Sequence, residues 1–206
     1  MFGTPIINLN CYAPCTEAEG PGKRFCLWVQ GCLKSCPGCA NPELQEINEK
    51  KSIPIEILSM MVVSAIEAND LVGITISGGE PFLQAMELNR LLGIVRQHCD
   101  DVLVFTGFKY EELLKRDDPI IKELLSKISV LVDGEYIEEL NKGERLRGSS
   151  NQNILFLDET KKPLYEEYIN SSNRFVDSFV SDDGVIAVGI HPKDFISDVA
   201  KSLKSE

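Results

Sequence analysis

The sequence predicts an α/β fold, an open partial (β/α) barrel completed by a C-terminal β-hairpin and helix. Three observations carry this expectation. Short apolar β-type runs alternate with segments whose apolar residues recur at helical spacing. Five such runs precede the C-terminal region, too few for a closed eight-unit barrel. The segments "QGC", "SGGEP", "FTGF" and "VDGEY" each follow a run, so they gather at the strand ends where barrels and doubly wound sheets build their sites.

The elements follow in order. "RFCLWVQ", Arg24 to Gln30, is a β-type run that ends directly at a cysteine-rich loop, and "ELQEINEKKS" after it is polar connecting chain. From Pro54 the period changes: Ile55, Leu58, Val62, Ala65 and Ile66 mark one buried face of a helix. "VGITIS" is a continuous apolar run of the kind that parallel sheets bury on both faces. Pro81 suits a helix's first turn, and Leu88, Leu91, Leu92 and Val95 space the helix after it. Then come strand "DVLVFTG", helix "YEELLKR" extended by "PIIKELLSK", strand "SVLVDG", loop "RGSSNQ" and strand "NILFL". This β-loop-α order implies a parallel sheet with right-handed crossovers. Past Lys161, "RFVDSFVS" and "VIAVGI" flank the turn "DDG", and Phe195, Val199, Ala200 and Leu203 space an amphipathic helix. The hairpin and helix are expected to cover the open barrel's exposed edge; a partner-docking platform is the alternative.

Composition narrows the function classes. At 43% hydrophobic and 26% charged, with no apolar run near the roughly 18 residues of a membrane span, the chain reads as a soluble globular protein. A net charge of -11 works against a grip on phosphate backbones, so nucleic acid is disfavoured as a partner. Seven cysteines are an odd number, and "MFGTPIINLN" carries neither a basic stretch nor an apolar signal core. The expected location is the cytoplasm, with the thiols reduced.

The chemistry-bearing residues form two motifs. "QGCLKSCPGC" brings Cys32, Cys36 and Cys39 together as CxxxCxxC, three thiolates where a closed structural site needs four. A 4Fe-4S cluster held by three cysteines keeps one iron open to a small molecule. Zinc is the main competitor, with Cys26 as the fourth thiolate, but zinc ribbons pair two separated CxxC knuckles and this motif is unpaired. The second motif is "GGEPF", which puts Gly78, Gly79 and Glu80 at the C-terminal end of a strand. His98 and His191 are the two histidines; one sits at a helix end and one beside a proline, and neither reads as a general base.

These motifs resemble those of the radical S-adenosylmethionine (SAM) superfamily. "EGPGKRFCLWVQGCLKSCPGCANPE" is similar to the cluster segment of glycyl-radical-enzyme activating enzymes, and "TGFKYEEL", "VDGEY" and "LRGSSNQ" resemble the anaerobic ribonucleotide reductase activating family. The likeness runs from Glu19 to Leu155. It implies a radical SAM core domain over residues 1–160, with residues 161–206 as an extension packed on it. It also implies one 4Fe-4S cluster on Cys32, Cys36 and Cys39, with SAM chelating the fourth iron. Gly78 and Gly79 would then let the backbone approach the methionyl group, and Glu80 would accept from its ammonium. Asp133 is expected near the SAM carboxylate, a turn-forming role being the alternative. Arg147 and Ser149 are expected on a loop that contacts SAM or a partner. The implied reaction is reductive cleavage of SAM to methionine and a 5'-deoxyadenosyl radical, which generates a glycyl radical on a protein partner, with a flavodoxin or ferredoxin as electron donor. A radical enzyme acting on a peptide or small molecule, and a non-catalytic metal-binding or electron-transfer module, are the competing readings. Cys11, Cys15 and the segment after "SSNQ" depart from the family pattern.

Overall fold

The computed structural model describes residues 5–171, 176–181 and 184–189. Its central feature is a seven-stranded mixed sheet. The strands are β1 (Ile6–Thr16), β2 (Arg24–Val29), β3 (Ser52–Pro54), β4 (Gly73–Gly78), β5 (Val102–Thr106), β6 (Val130–Asp133) and β7 (Asn153–Phe156), in the spatial order β3-β1-β2-β4-β5-β6-β7. Strands β2, β4, β5 and β6 run parallel, whereas β1, β3 and β7 are antiparallel to their neighbours.

Helices α1 (Ile55–Asn69), α2 (Ala85–Val95), α3 (Tyr110–Lys115) and α4 (Pro119–Leu125) connect the parallel strands. The apolar stripe anticipated on α1 is buried at Ile55, Leu58, Val62, Ala65 and Ile66. It joins Leu88, Leu91, Leu92 and Val95 of α2 against Ile7, Phe25, Leu27, Val29, Ile74, Ile76 and Val104 of the sheet. Alternate residues face the other way, as the strand period of two requires. Leu103, Val130 and Val132 meet Tyr165 of α5 (Lys162–Asn170). Ala13, Cys26 and Trp28 meet Val188 of a separate hairpin, β8 (Asp177–Ser181) with β9 (Gly184–Val188).

Three expectations need correction, and one strand adds to them. The N-terminal segment forms the longest strand, β1, which the sequence reading left unassigned; shifts in register between Leu9 and Cys11 and between Ala13 and Thr16 break the alternation that betrays a strand. The fifth run, β7, lies antiparallel to β6, because the connection from Gly134 to Gln152 holds only a 3-10 turn at Glu138–Leu140 and no crossover helix. The helix expected to continue from "YEELLKR" into "PIIKELLSK" divides at Asp117, which has φ +50°; Asp118 caps the second helix through Ile120 N–H at 2.8 Å. Pro119 explains the break, since it disfavours helical backbone in the residue before it. Finally, the hairpin pairs with neither edge strand among the described residues; it lies over the face of β1 and β2 through Val188. The helix expected over Phe195 to Leu203 lies outside the described residues, as does His191.

Opposite the loops, at the strand starts, Arg24 is fully buried. Its guanidinium donates to Asp101 Oδ2, Thr75 Oγ1 and the Ile74 carbonyl, each at 2.8 Å, and Tyr165 donates to Asp101 Oδ1 at 2.9 Å. Buried charge is tolerated because each hydrogen-bonding group is answered.

Candidate cluster and cofactor site

The two motifs are fastened together by backbone. Strand β2 lies beside β4 with Val29 opposite Gly78. Past the strand ends the pairing continues: Gly79 N–H donates to the Val29 carbonyl at 2.8 Å and Glu80 N–H to the Gly31 carbonyl at 2.9 Å. Gly31 N–H and Cys32 N–H donate in turn to the carbonyls of Leu44 and Gln45, at 2.8 and 2.9 Å. A Cβ on Gly79 would stand 2.2 Å from the Gly31 oxygen, and one on Gly78, whose φ is +113°, would stand 2.4 Å from Val29 backbone atoms. These glycines are therefore required by chain-to-chain approach inside the fold. Buried Gln30 and half-buried Gln84 complete the seam: the Gln84 amide bonds the carbonyls of Asn8 and Gln30 at 3.0 and 3.1 Å, and Asn10 donates to the Gln30 side chain at 2.6 Å.

Cys32, Cys36 and Cys39 are free and half-buried on the loop that this seam launches. Burial, the Glu135 carboxylate and the charges of Cys39 and Cys32 push the Cys36 thiol up, while the Tyr136 N–H that bonds it pulls it back. Cys36 thus lies within electrostatic reach of the other two cysteines. Among the described residues, however, no group of three or more His, Cys, Asp or Glu is disposed to hold a single metal ion. A cubane presents a different iron to each thiolate, so its ligands need no common point. Cys26, the fourth thiolate of the zinc reading, is fully buried in the sheet with Ala13 and Trp28. Cys11 and Cys15 lie on β1, and Cys99 is buried with the helices.

Glu80 is 1% exposed. Its Oε1 accepts from Phe82 N–H at 3.0 Å and from Thr106 Oγ1 at 2.8 Å, and its Oε2 accepts from Gly107 N–H at 2.9 Å. Burial raises its pKa; the three donors and the charge of Lys34 oppose that rise. A carboxylate has about four acceptor positions, and these donors occupy three of them. The carboxylate caps the Pro81–Gln84 turn and bridges β4 to β5, a supporting task that the sequence did not disclose.

Asp133, paired with Thr106 across β5 and β6, is fully buried. It accepts from Tyr110 N–H at 2.7 Å, Asn153 Nδ2 at 2.8 Å and Lys109 Nζ at 3.4 Å. Ser149 is buried too, and its hydroxyl accepts from Ile137 N–H at 3.1 Å. Gln152 extends the same support by accepting from Ser149 N–H and donating to the Gly134 carbonyl. Arg147 pairs with Glu144, donates to the Gln152 carbonyl at 3.0 Å, and borders a cavity of about 530 Å³ with Arg145 and Ile154. That cavity is lined by none of the cysteines, nor by Gly78, Gly79 or Glu80. The "RGSSNQ" loop thus braces the segment after β6, and that segment touches the cysteine loop through Tyr136, through Glu135 on Lys34 at 2.9 Å, and through Glu138 beside Gly38. Thr106 and Lys34 went unnoticed in the sequence; Thr106 at a strand end was detectable by position, but threonine there also reads as an ordinary β-former.

The comparisons bear on these loops. The family model for a 4Fe-4S single cluster domain matches residues 18–155. The chain belongs to the radical SAM activating-protein family. The anaerobic ribonucleoside-triphosphate reductase-activating protein of Escherichia coli strain K12 is 32% identical over 155 residues, covering 71% of this chain and 96% of that protein. The protein of the same name from Enterobacteria phage T4 is 28% identical over 152 residues, 72% of this chain and 93% of its own. The pyruvate formate-lyase-activating enzyme of Staphylococcus aureus strain USA300 is 28% identical over 170 residues, 73% of this chain and 63% of its own. In this radical SAM activating protein the matched span contains every loop described above; α5, β8 and β9 lie beyond it.

Proposed function

We propose that this protein reductively cleaves SAM and installs a glycyl radical on a protein partner, an anaerobic ribonucleotide reductase or a relative. The observation that carries the reading is the seam of backbone bonds from Val29–Cys32 to Gly79–Glu80, which ties the loop bearing three free cysteines to the loop bearing a buried carboxylate. Cys32, Cys36 and Cys39 would hold one 4Fe-4S cluster, and three ligands suit a cubane that leaves one iron for SAM. When bound, that cluster supplies the electron that breaks the sulfonium bond. Glu80 would accept from the methionyl ammonium, while Gly78 and Gly79 hold its loop against the cysteine loop. Asp133, Arg147 and Ser149 would serve the SAM site at one remove, by fixing the Gly134–Glu138 segment against Cys36.

The names of the relatives support a glycyl radical enzyme as substrate. A flavodoxin or ferredoxin as electron donor and a cytoplasmic setting belong to the same proposal; no helix among the described residues is long and apolar enough to cross a membrane. The finer architecture proposed is the open partial barrel, with residues 1–160 as its core and residues 161–206 as an extension packed on it, the described part of which meets the inner face of the sheet. Tyr165 and Val188, buried against that face, support this division.

Anaerobic reconstitution with iron and sulfide tests the reading. One reducible 4Fe-4S cluster per chain is expected, lost in Cys32→Ala, Cys36→Ala or Cys39→Ala and retained in Cys11→Ala, with 5'-deoxyadenosine released from SAM on reduction. Stoichiometric zinc and no reducible cluster in anaerobically purified protein would overturn it.

A further inference from the structure

Glu80 answers only one half of an amino acid, its ammonium. The other half needs a cation, and Lys34 lies across a single glycine from Glu80. A Cβ on Gly107 would meet Lys34 Cγ at 3.3 Å and Glu80 Oε2 at 3.5 Å, so both side chains flank one point. The Lys34 ammonium lies 4.4 Å from the Phe108 ring centroid and 2.9 Å from Glu135 Oε1, and the side chain is only 18% exposed. An ammonium has three donors and Glu135 takes one, which leaves capacity for a ligand. Glu135 is 55% exposed, so its pair with Lys34 is worth little and a second carboxylate can share the lysine at small cost. Lys34 also reaches Glu80 electrostatically, as one of the influences that lower the carboxyl pKa. An α-amino acid carries its ammonium and carboxylate on one carbon. An acceptor and a cation on two sides of one glycine match that arrangement.

We infer that Lys34 is a SAM-positioning residue, contacting the carboxylate of the methionyl group while Glu80 accepts from its ammonium. The inference rests on the proposed SAM chemistry. A carboxylate has two oxygens, so contact with Lys34 leaves it free to make a further contact. Because Lys34 belongs to the cysteine loop itself, it couples ligand capture to the order of that loop.

The test compares two ligands on the anaerobically reconstituted protein: SAM, and 5'-methylthioadenosine, which lacks the amino-acid part. Equilibrium dialysis of Lys34→Met is expected to show SAM affinity reduced about ten- to a hundredfold, with methylthioadenosine affinity and iron content unchanged. Lys34→Arg should restore most of the SAM affinity. Unchanged SAM affinity in Lys34→Met, or an equal loss for both ligands, overturns the assignment. If Lys34→Met fails to hold iron, Glu135→Gln decides: it removes the latch yet keeps the cation, so SAM binding as strong as wild type supports the positioning role, and damage equal to that of Lys34→Met refutes it. Wild-type protein that binds no SAM would overturn the underlying reading and leave the two failures distinct.

Discussion

A methyl group on Gly79 would press on the Gly31 carbonyl oxygen at 2.2 Å and the Leu44 carbonyl oxygen at 2.9 Å, and both belong to the backbone that launches the cysteine loop. Neither can yield like a flexible side chain. Gly79→Ala is therefore expected to destabilise even the cluster-free protein, by about 1–3 kcal/mol, with a lower unfolding midpoint in denaturant. If the glycine served only to admit a ligand, the cluster-free midpoint would not move. At this scale the sequence disclosed which residues matter better than why. CxxxCxxC and GGE stood out because their types and spacing are uncommon, and the structure fastens the two motifs side by side. Two partners of Glu80, Thr106 and Gly107 N–H, were hidden because strand register brings them in from a distance, whereas Phe82 N–H is a local cap donor two residues on.

The hairpin of β8 and β9 is held to the corner after β1 by polar contacts. Asp177 accepts from the Thr16 hydroxyl and from Glu17 N–H, and Gly189 N–H bonds the buried Glu19 carboxyl. Burial raises the Glu19 pKa from 4.5 to about 7, with the Gly189 bond opposing. An acid whose folded-state pKa is raised favours the folded form most when protonated. The Glu19 contribution is thus full below about pH 4.5, declines as pH rises toward 7 and levels off above it. The change amounts to at most about 3 kcal/mol. Between pH 5 and 7 wild-type stability should fall relative to Glu19→Gln, and proteolysis between β8 and β9 should quicken in the wild type alone; parallel stability profiles for the two proteins would refute the role of Glu19. Elements with clean periodicity, α1, α2 and the four parallel strands, were readable in the chain. The misreadings fell where a bulge hid the period in β1, where a helix-free connection reversed β7, and where Pro119 split a helix.

Arg24, Asp101 and Tyr165 tie β2, the start of β5 and α5 into one body, and α5 lies beyond the segment that the family model matches. Asp101→Leu would strand a fully buried guanidinium. Breaking such a pair costs about 3–5 kcal/mol, a large share of the 5–15 kcal/mol that holds a typical domain together. Tyr165→Phe leaves the ion pair intact and removes one hydrogen bond, for about 1–3 kcal/mol. Denaturant titration is expected to rank Asp101→Leu well below Tyr165→Phe; equal midpoints would mean that the ion pair is dispensable.

The braces on the cysteine loop also impose an order in time. Cys32, Cys36 and Cys39 leave the ribosome early, whereas the residues that hold their loop come from Glu135–Glu138, and the brace behind those comes from Ser149–Gln152. Contacts this far apart in sequence close slowly, because the intervening chain must first be drawn together. Until β7 is in place the three thiols therefore lack the Glu135–Glu138 wall, although Leu44 and Gln45 already hold the start of their loop. For the proposed cluster, insertion is therefore expected late in maturation, after the sheet is complete through β7.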